Sequence, residues 1–351
     1  MKLTHILTAA AAAGCALLLA ACQPGGSDAP ADYPVHLAGT VIDQRPERVV
    51  SLAPAITDML YQLQIPGQLV AVSDYCELPT PTGREVAYDY PRAGTQQLPD
   101  LDTIVELDAD LVLMTAEPTE DTANALLQAD IDYLVLSPAA DMDGVRENFV
   151  TLCKALYGDT TGAELASRRL TGYDHKYQRI LDCLEDAAAA GEGPSTVYLA
   201  GDILQMATGD SFEGYLLTFL GTDNWGDEYT NYSFPAEREI ELNPDVIFYN
   251  GMMSREAIAG STCYATTAAG SAGAIYYIDP ENFERQTPDI VDTLWEMGKL
   301  LYPESFVAEE PGQPWESSEA SYGYIPDTAG PETETNTETD TESPPESSSE
   351  A

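Results

Sequence analysis

Residues 103–115, TIVELDADLVLMT, join the end of an amphipathic helix to a tight turn and a buried strand. Residues 239–250, EIELNPDVIFYN, have the same form. With Asp110 laid on Asp245, Val105 falls on Ile240, Leu107 on Leu242, Val112 on Ile247 and Leu113 on Phe248, a constant offset of 135 residues (245 − 110). One helix–turn–strand unit is used twice, so the chain is expected to hold two related halves.

The flanking sequence extends each copy into a lobe. Before the first lie a strand, RVVSLA (48–53), a helix starting at Pro54 with Ile56, Met59, Leu60 and Leu63 on one face, and a second strand, QLVAVS (68–73). After it come a helix in TEDTANALLQADI (119–131) and a strand in DYLVLS (132–137). Residues 159–190 contain no strand and no breaker beyond Gly162 and Gly172, while Leu165, Leu170, Tyr173, Tyr177, Ile180 and Leu184 recur at helical spacing. One long helix is expected there, closed by GEGPS (191–195). The alternation then restarts with strand TVYLAGD (196–202), helix SFEGYLLTFLG (211–221), the second copy, strand AIYYID (274–279) and a final helix in TPDIVDTLWEMGKLLYP (287–303).

Strands alternating with helices imply mainly parallel sheets covered on both faces. The expected fold class is α/β: two Rossmann-like lobes, 47–158 and 193–304, joined by one long α-helix, 159–192. A ligand cleft is expected between the lobes, where loops at the carboxyl ends of the strands converge. A single helical connection limits hinge closure.

The two ends read differently. Residues 1–21 combine Lys2, an apolar run and small residues, the pattern of an export signal. Leu19-Ala20-Ala21-Cys22 resembles a bacterial lipobox, which makes Cys22 the expected lipidation site and 22–46, with its Gly- and Ser-containing QPGGSDAPAD, a lipid-anchored tether. The expected location is extracytoplasmic, on the cell membrane of a bacterium. Residues 305–351 are rich in Thr-Glu and Ser-Glu, and after Trp315 they contain no Lys or Arg, so a disordered acidic tail is expected.

A formal net charge of −44, with acidic residues in excess along the whole chain, argues against nucleic acid and against anionic lipid as partners. Cys76, Cys153, Cys183 and Cys263 form no C-x-x-C pair, and their state, disulfide or buried thiol, is left open. Catalysis has thin support. Beyond the leader the histidines are His36 in the tether and His175 in a charged helical stretch, and no phosphate loop, G-x-S-x-G or H-E-x-x-H occurs. GDSFEG (209–214) is a Gly-bounded loop entering a helix, weak evidence by itself. No enzyme, no metal site and no cofactor are expected.

From Arg48 to Pro303 the chain resembles the helical-backbone substrate-binding proteins of ABC importers for cobalamin, haem and iron siderophores. RVVSLAPAITDMLYQL, AVSDYCELPT, LDTIVELDADLVLM, ATGDSFEGYLLTFLGTDN, NPDVIFYN and NFERQTPDIVDTLWEMGKLL stand in that family's order and spacing. The resemblance implies a monomeric capture protein serving ABC permease and ATPase subunits. It also implies one exposed carboxylate per lobe that docks into permease arginines. The matching positions are Asp102 and Glu237, again 135 apart (237 − 102), with Asp in the first where Glu is usual.

The loops offer Tyr75, Tyr88, Tyr90, Trp225, Tyr229, Tyr232, Phe234 and Tyr264 for stacking on a large flat ligand, part of this set belonging to core or rim. NFERQTPD (282–289) resembles the segment after the last strand of cobalamin binders, which adds Phe283 and Arg285, with Asn282 where an aromatic is usual. Two histidines do not suffice for a free-metal binder, and the arginines available to an anionic siderophore are few: Arg84, Arg92, Arg255 and Arg285. A corrinoid is the favoured ligand, with haem or a ferric siderophore as alternatives. A surface adhesin or sensor on the same scaffold is the alternative of another class.

Overall fold

Each lobe is built on four parallel strands in the same order. The computed structural model describes residues 32–37, 39–63, 68–76, 90–191 and 193–307. In the N-terminal lobe, β3 (Val49–Ser51), β4 (Leu69–Val72), β5 (Leu111–Met114) and β6 (Asp132–Val135) lie in the order β4-β3-β5-β6. In the C-terminal lobe, β7 (Ser195–Leu199), β8 (Asp223–Asn224), β9 (Val246–Tyr249) and β10 (Ile275–Tyr277) lie in the order β10-β9-β7-β8. Numbered within its lobe, each sheet reads 2-1-3-4. β5 is buried at every position and β9 at three of four, as strands covered on both faces must be.

The repeated unit is seen in both lobes with one difference. In the first copy Leu101–Glu106 is an α-helix (α2, after α1 at Pro54–Gln62), capped by Asp100, whose carboxylate accepts from Thr103 N at 3.1 Å. In the second copy Ala236–Glu241 is a 3₁₀ turn without a side-chain cap. ELNPD replaces ELDAD there, and a residue before proline is pushed out of helical conformation. Leu242 is already extended, so the second copy stays a tight 3₁₀ turn over the same six positions.

The connection between lobes departs from expectation. After α3 (Glu120–Gln128) and α4 (Met142–Tyr157), the stretch expected as one helix is two: α5 (Asp159–Arg169) and α6 (Thr171–Ala190), meeting at Leu170. α5 folds back on α4 so closely that a Cβ at Gly162 would lie 2.4 Å from Cys153 O. Only α6 remains as the spine. It meets the N-terminal lobe through Arg146–Asp174 at 2.8 Å, and the C-terminal lobe through a Lys176–Asp292 ion pair to α11 (Ile290–Leu301).

The folded body also extends past the expected boundaries at both ends. β1 (Val35–Leu37) and β2 (Thr40–Ile42) form a hairpin, with Val35 and Ile42 buried, inside the segment expected as tether, and His36 is on its exposed face. Asp32 caps α5, accepting from Thr160 N at 3.0 Å, because Gly158 has no side chain to do so. Phe306 is buried against Trp295, ring centroids 5.3 Å apart, which keeps the start of the expected tail in the fold. The leader 1–21, Cys22, the tether up to residue 31 and the tail from 308 lie outside the described residues. Cys76, Cys153, Cys183 and Cys263 form no disulfide with one another and are buried, with burial pushing the Cys153 thiol up to about 12. No helix among the described residues is long and apolar enough to cross a membrane.

Candidate functional site

The carboxyl ends of the two sheets open onto a trough between the lobes. A pocket of about 190 Å³ has Ala55 and Met59 of α1, Thr115 after β5, and Ser137 and Pro138 after β6 on one wall, with Glu284 and Gln286 opposite. A second, of about 370 Å³, is lined by Ala200, Gln205, Glu213, Asn231, Tyr232 and Glu284. Glu284 borders both, so the two adjoin as one trough, the first part walled by both lobes and the second lined by the C-terminal lobe.

Three contacts cross beside it. Arg285 donates to Asp58 at 2.7 Å and to Glu281 at 3.0 Å, Gln62 donates to Asp289 at 2.7 Å, and the Gln286 amide pairs with both backbone groups of Ala139. Asp58 and Arg285 are 25% and 19% exposed, so this ion pair is largely out of water. Burial raises the Asp58 carboxyl above its ordinary range, and the Arg285 guanidinium opposes that shift.

The larger pocket is built on loop residues held by polar contacts. Ser211 starts α7 (Phe212–Phe219) as its N-cap, accepting from Gly214 N at 3.0 Å. A Cβ at Gly214 would lie 2.0 Å from Thr208 O, so only glycine fits this close loop. Glu213, at the second position of α7, is consequently turned inward and only 6% exposed. Tyr232 donates its hydroxyl to Glu213 Oε2 at 2.6 Å and its backbone N–H to Thr208 Oγ1 at 3.1 Å. Asn231 and Tyr232 both have left-handed backbone, φ +58° and +55°, a conformation costly for a bulky side chain and kept here by those contacts. Glu284 Oε1 accepts from Tyr198 OH at 2.7 Å and from Asn250 Nδ2 at 3.0 Å. Burial pushes the Glu213 carboxyl and the Tyr198 and Tyr232 phenols upward.

The expected ligand residues separate into groups. Tyr232 lines the trough, and Tyr75, 69% exposed, stands on the loop after β4. Tyr90 is half-buried against the main hydrophobic cluster, which draws on both lobes. Trp225 and Tyr229 are half-buried against the second C-terminal cluster, where Tyr229 meets the ring of Phe234 edge-on at 4.9 Å and lies under Arg238. Phe283 has no exposed surface, because it packs on Tyr198 at 4.7 Å, and Phe234 and Tyr264 are also core. Arg285 is engaged by carboxylates, Arg92 by Ser73 O and Cys76 O, and Arg255 by Ile275 O and Gly273 O. Tyr88 and Arg84 lie outside the described residues.

Glu213 was not among the expected site residues, although a visible signal marks it: a single carboxylate inside the otherwise apolar FEGYLLTF of a buried helix. The trough therefore offers acceptors, a tyrosine and amide groups. Asp102 and Glu237, at the first turns of their helices, are exposed, one on each lobe.

Comparison with known proteins agrees with this architecture. Residues 49–282 match the family model described as periplasmic binding protein. A cobalamin-binding protein of Halobacterium salinarum is 25% identical over 272 residues, 74% of this chain and 71% of that one. An uncharacterized ABC transporter substrate-binding lipoprotein of Bacillus subtilis, YvrC, is 23% identical over 314 residues, covering 83% and 96%. The solved structure of the periplasmic heme-binding protein BhuT with two hemes superposes with a TM-score of 0.59 at 17% identity, over 75% of this chain and all of that one, a likeness of fold. With a family model spanning more than half its length and the two-lobed architecture to match, this chain belongs to the periplasmic binding protein family.

Proposed function

We propose that this protein is the extracytoplasmic substrate-binding component of an ABC importer, and that its ligand is a corrinoid. The observation that carries the ligand class is the lining of the trough: Glu213, Glu284 and Tyr232 with amide side chains, and no arginine or lysine among the described residues. An anionic ferric chelate or haem, with its carboxylates, calls for cationic partners, and Arg92, Arg255 and Arg285 are committed to structural contacts. A corrinoid edge bears neutral amides, which suit carboxylate and phenol acceptors. Tyr75 and Tyr232 supply the aromatic surface, Asp102 and Glu237 meet the permease, and Cys22 carries the lipid that keeps the monomer at the membrane. The cobalamin-binding relative and the lipoprotein relative support this reading.

The test is a thermal-shift and tryptophan-quenching panel with cyanocobalamin, dicyanocobinamide, haemin and ferric citrate. A ligand that binds only the native state stabilises it by about 2.7 kcal/mol at one hundred times its Kd. Stabilisation by the corrinoids alone is expected. Stabilisation by haemin or ferric citrate alone would replace the corrinoid assignment, and a flat response to all four would shift the reading to an adhesin or sensor.

A further inference from the structure

Glu213 and Glu284 line one cavity from two different elements, with no basic residue among the described residues of its lining. Glu213 is 6% exposed and receives the Tyr232 hydroxyl at 2.6 Å. On Glu284 both donors, Tyr198 OH and Asn250 Nδ2, converge on Oε1, and Oε2 receives no hydrogen bond from a described residue. Arg285, next in sequence, points away to Asp58 and Glu281. Glu213 is a buried carboxylate beside a second one, which is unfavourable unless donors or a cation compensate, while Glu284 is exposed to the trough with Oε2 open to solvent or ligand, and about 370 Å³ of space adjoins the two.

We propose, on the reading that this trough is the ligand site, that Glu213 and Glu284 select the ligand by charge: the site takes a macrocycle or chelate whose edge presents amide N–H groups or positive charge, and rejects one whose edge presents carboxylates. An amide N–H or a cation completes the hydrogen bonding of the two carboxylates. A ligand carboxylate at the same place meets two like charges in a partly desolvated site, which is how specificity is built against a competitor of the same shape. Tyr232, donor to Glu213, and Tyr198, donor to Glu284, orient the pair and take no part in discrimination.

The experiment uses the full chain in detergent and two matched pairs of probes: cyanocobalamin with its monocarboxylic acid, in which one amide has become a carboxylate, and haemin dimethyl ester with haemin. Kd is measured for wild type, Glu213→Gln and Glu284→Gln, each substitution retaining an acceptor oxygen for its tyrosine. In the wild type the uncharged-edge member of a bound pair binds at least about tenfold more tightly, and in either variant that ratio falls to about threefold or less. A bound pair whose members bind equally in the wild type, or a ratio unchanged in both variants, overturns charge selection and leaves the importer reading standing. Discrimination within the haemin pair alone, lost in the variants, keeps charge selection and removes the corrinoid assignment. If none of the four binds, hexaamminecobalt(III) decides: it must raise Tm less in the two variants than in a Glu304→Gln surface control, and equal rises overturn the proposal.

Discussion

Asp110 and Asp245 perform one task in two lobes: each fastens the turn before its own strand to the strand that begins the lobe. Asp110 accepts from Glu47 N at 2.6 Å and Arg48 N at 3.0 Å, and Asp245 accepts from Ser195 N at 2.9 Å and Ser195 Oγ at 2.8 Å. Their backbone N–H groups complete the loop, Asp110 N donating to Arg48 O and Asp245 N to Ser195 O. Asp110→Ala and Asp245→Ala should each lower stability in urea denaturation by roughly 1 kcal/mol, the net value of charge-assisted hydrogen bonds at an exposed site. A loss at one position with none at the other would contradict the equivalence of the two turns.

The same pair shows what the sequence could reveal. The repeat carries its apolar positions and its aspartate through both copies, so the strand, the turn and the parallel sheet follow from spacing alone. The break at Leu170 does not. Leu165, Leu170, Tyr173 and Ile180 are all buried, and the apolar stripe runs through the break with no proline there and only Gly172, inside the first turn of α6, near the joint. The hairpin at 35–42 was hidden for the opposite reason, since two buried side chains in six residues give too little periodicity to detect. At the trough, Tyr232 was legible as an aromatic in a loop. Phe283, equally aromatic, turned into the core against Tyr198, and sequence carries no sign of that direction.

The Asp58–Arg285 pair holds helix α1 of one lobe to the segment after α10 (Pro280–Phe283) of the other. Arg285→Ala leaves Asp58 partly buried beside Glu281 and Asp289 without its cation. Stability should fall by about 2–4 kcal/mol, near the lower part of the range for a broken buried pair because both side chains keep some exposure. Asp58→Asn in the Arg285→Ala background should recover part of that loss, which a double-mutant cycle in guanidinium would measure. No recovery would show that Arg285 acts through packing alone.

Glu213 should impose a pH dependence on stability. Burial raises its carboxyl above the ordinary 4.5, so the native state holds this proton more tightly than the unfolded chain. Its stabilising contribution is complete below 4.5 and disappears as pH rises through the raised native value. Glu213→Gln removes the penalty, so its Tm should exceed that of the wild type at about pH 8 and lose that advantage at about pH 4. Paired calorimetric scans at the two pH values provide the check; the same Tm difference at both would contradict it.

If Asp102 and Glu237 are the docking groups, ligand capture and delivery separate by mutation. Asp102→Ala and Glu237→Ala should leave ligand Kd within about twofold, because neither residue lines the trough, while uptake by cells carrying the variants falls and the double variant is the poorest. Asp102→Glu restores the longer reach and should transport at least as well as wild type. Full uptake by the double alanine variant would exclude this role.

The attachments of α6 also bear on how a bound ligand could be let go. Asp174 is tied to Arg146 on one side and Lys176 to Asp292 on the other, so a single half-turn of helix is fastened to both lobes. That half-turn is a fulcrum. Each lobe is an arm about it, and the first-turn carboxylates Asp102 and Glu237 lie outside the trough lining. If the permease grips Asp102 and Glu237, as proposed, a pull on those carboxylates acts as a torque about this half-turn and loads the Asp58–Arg285 clasp between the lobes. On the proposed function, release is then mechanical work done on the protein from outside, and a protein that nothing pulls keeps its ligand by default.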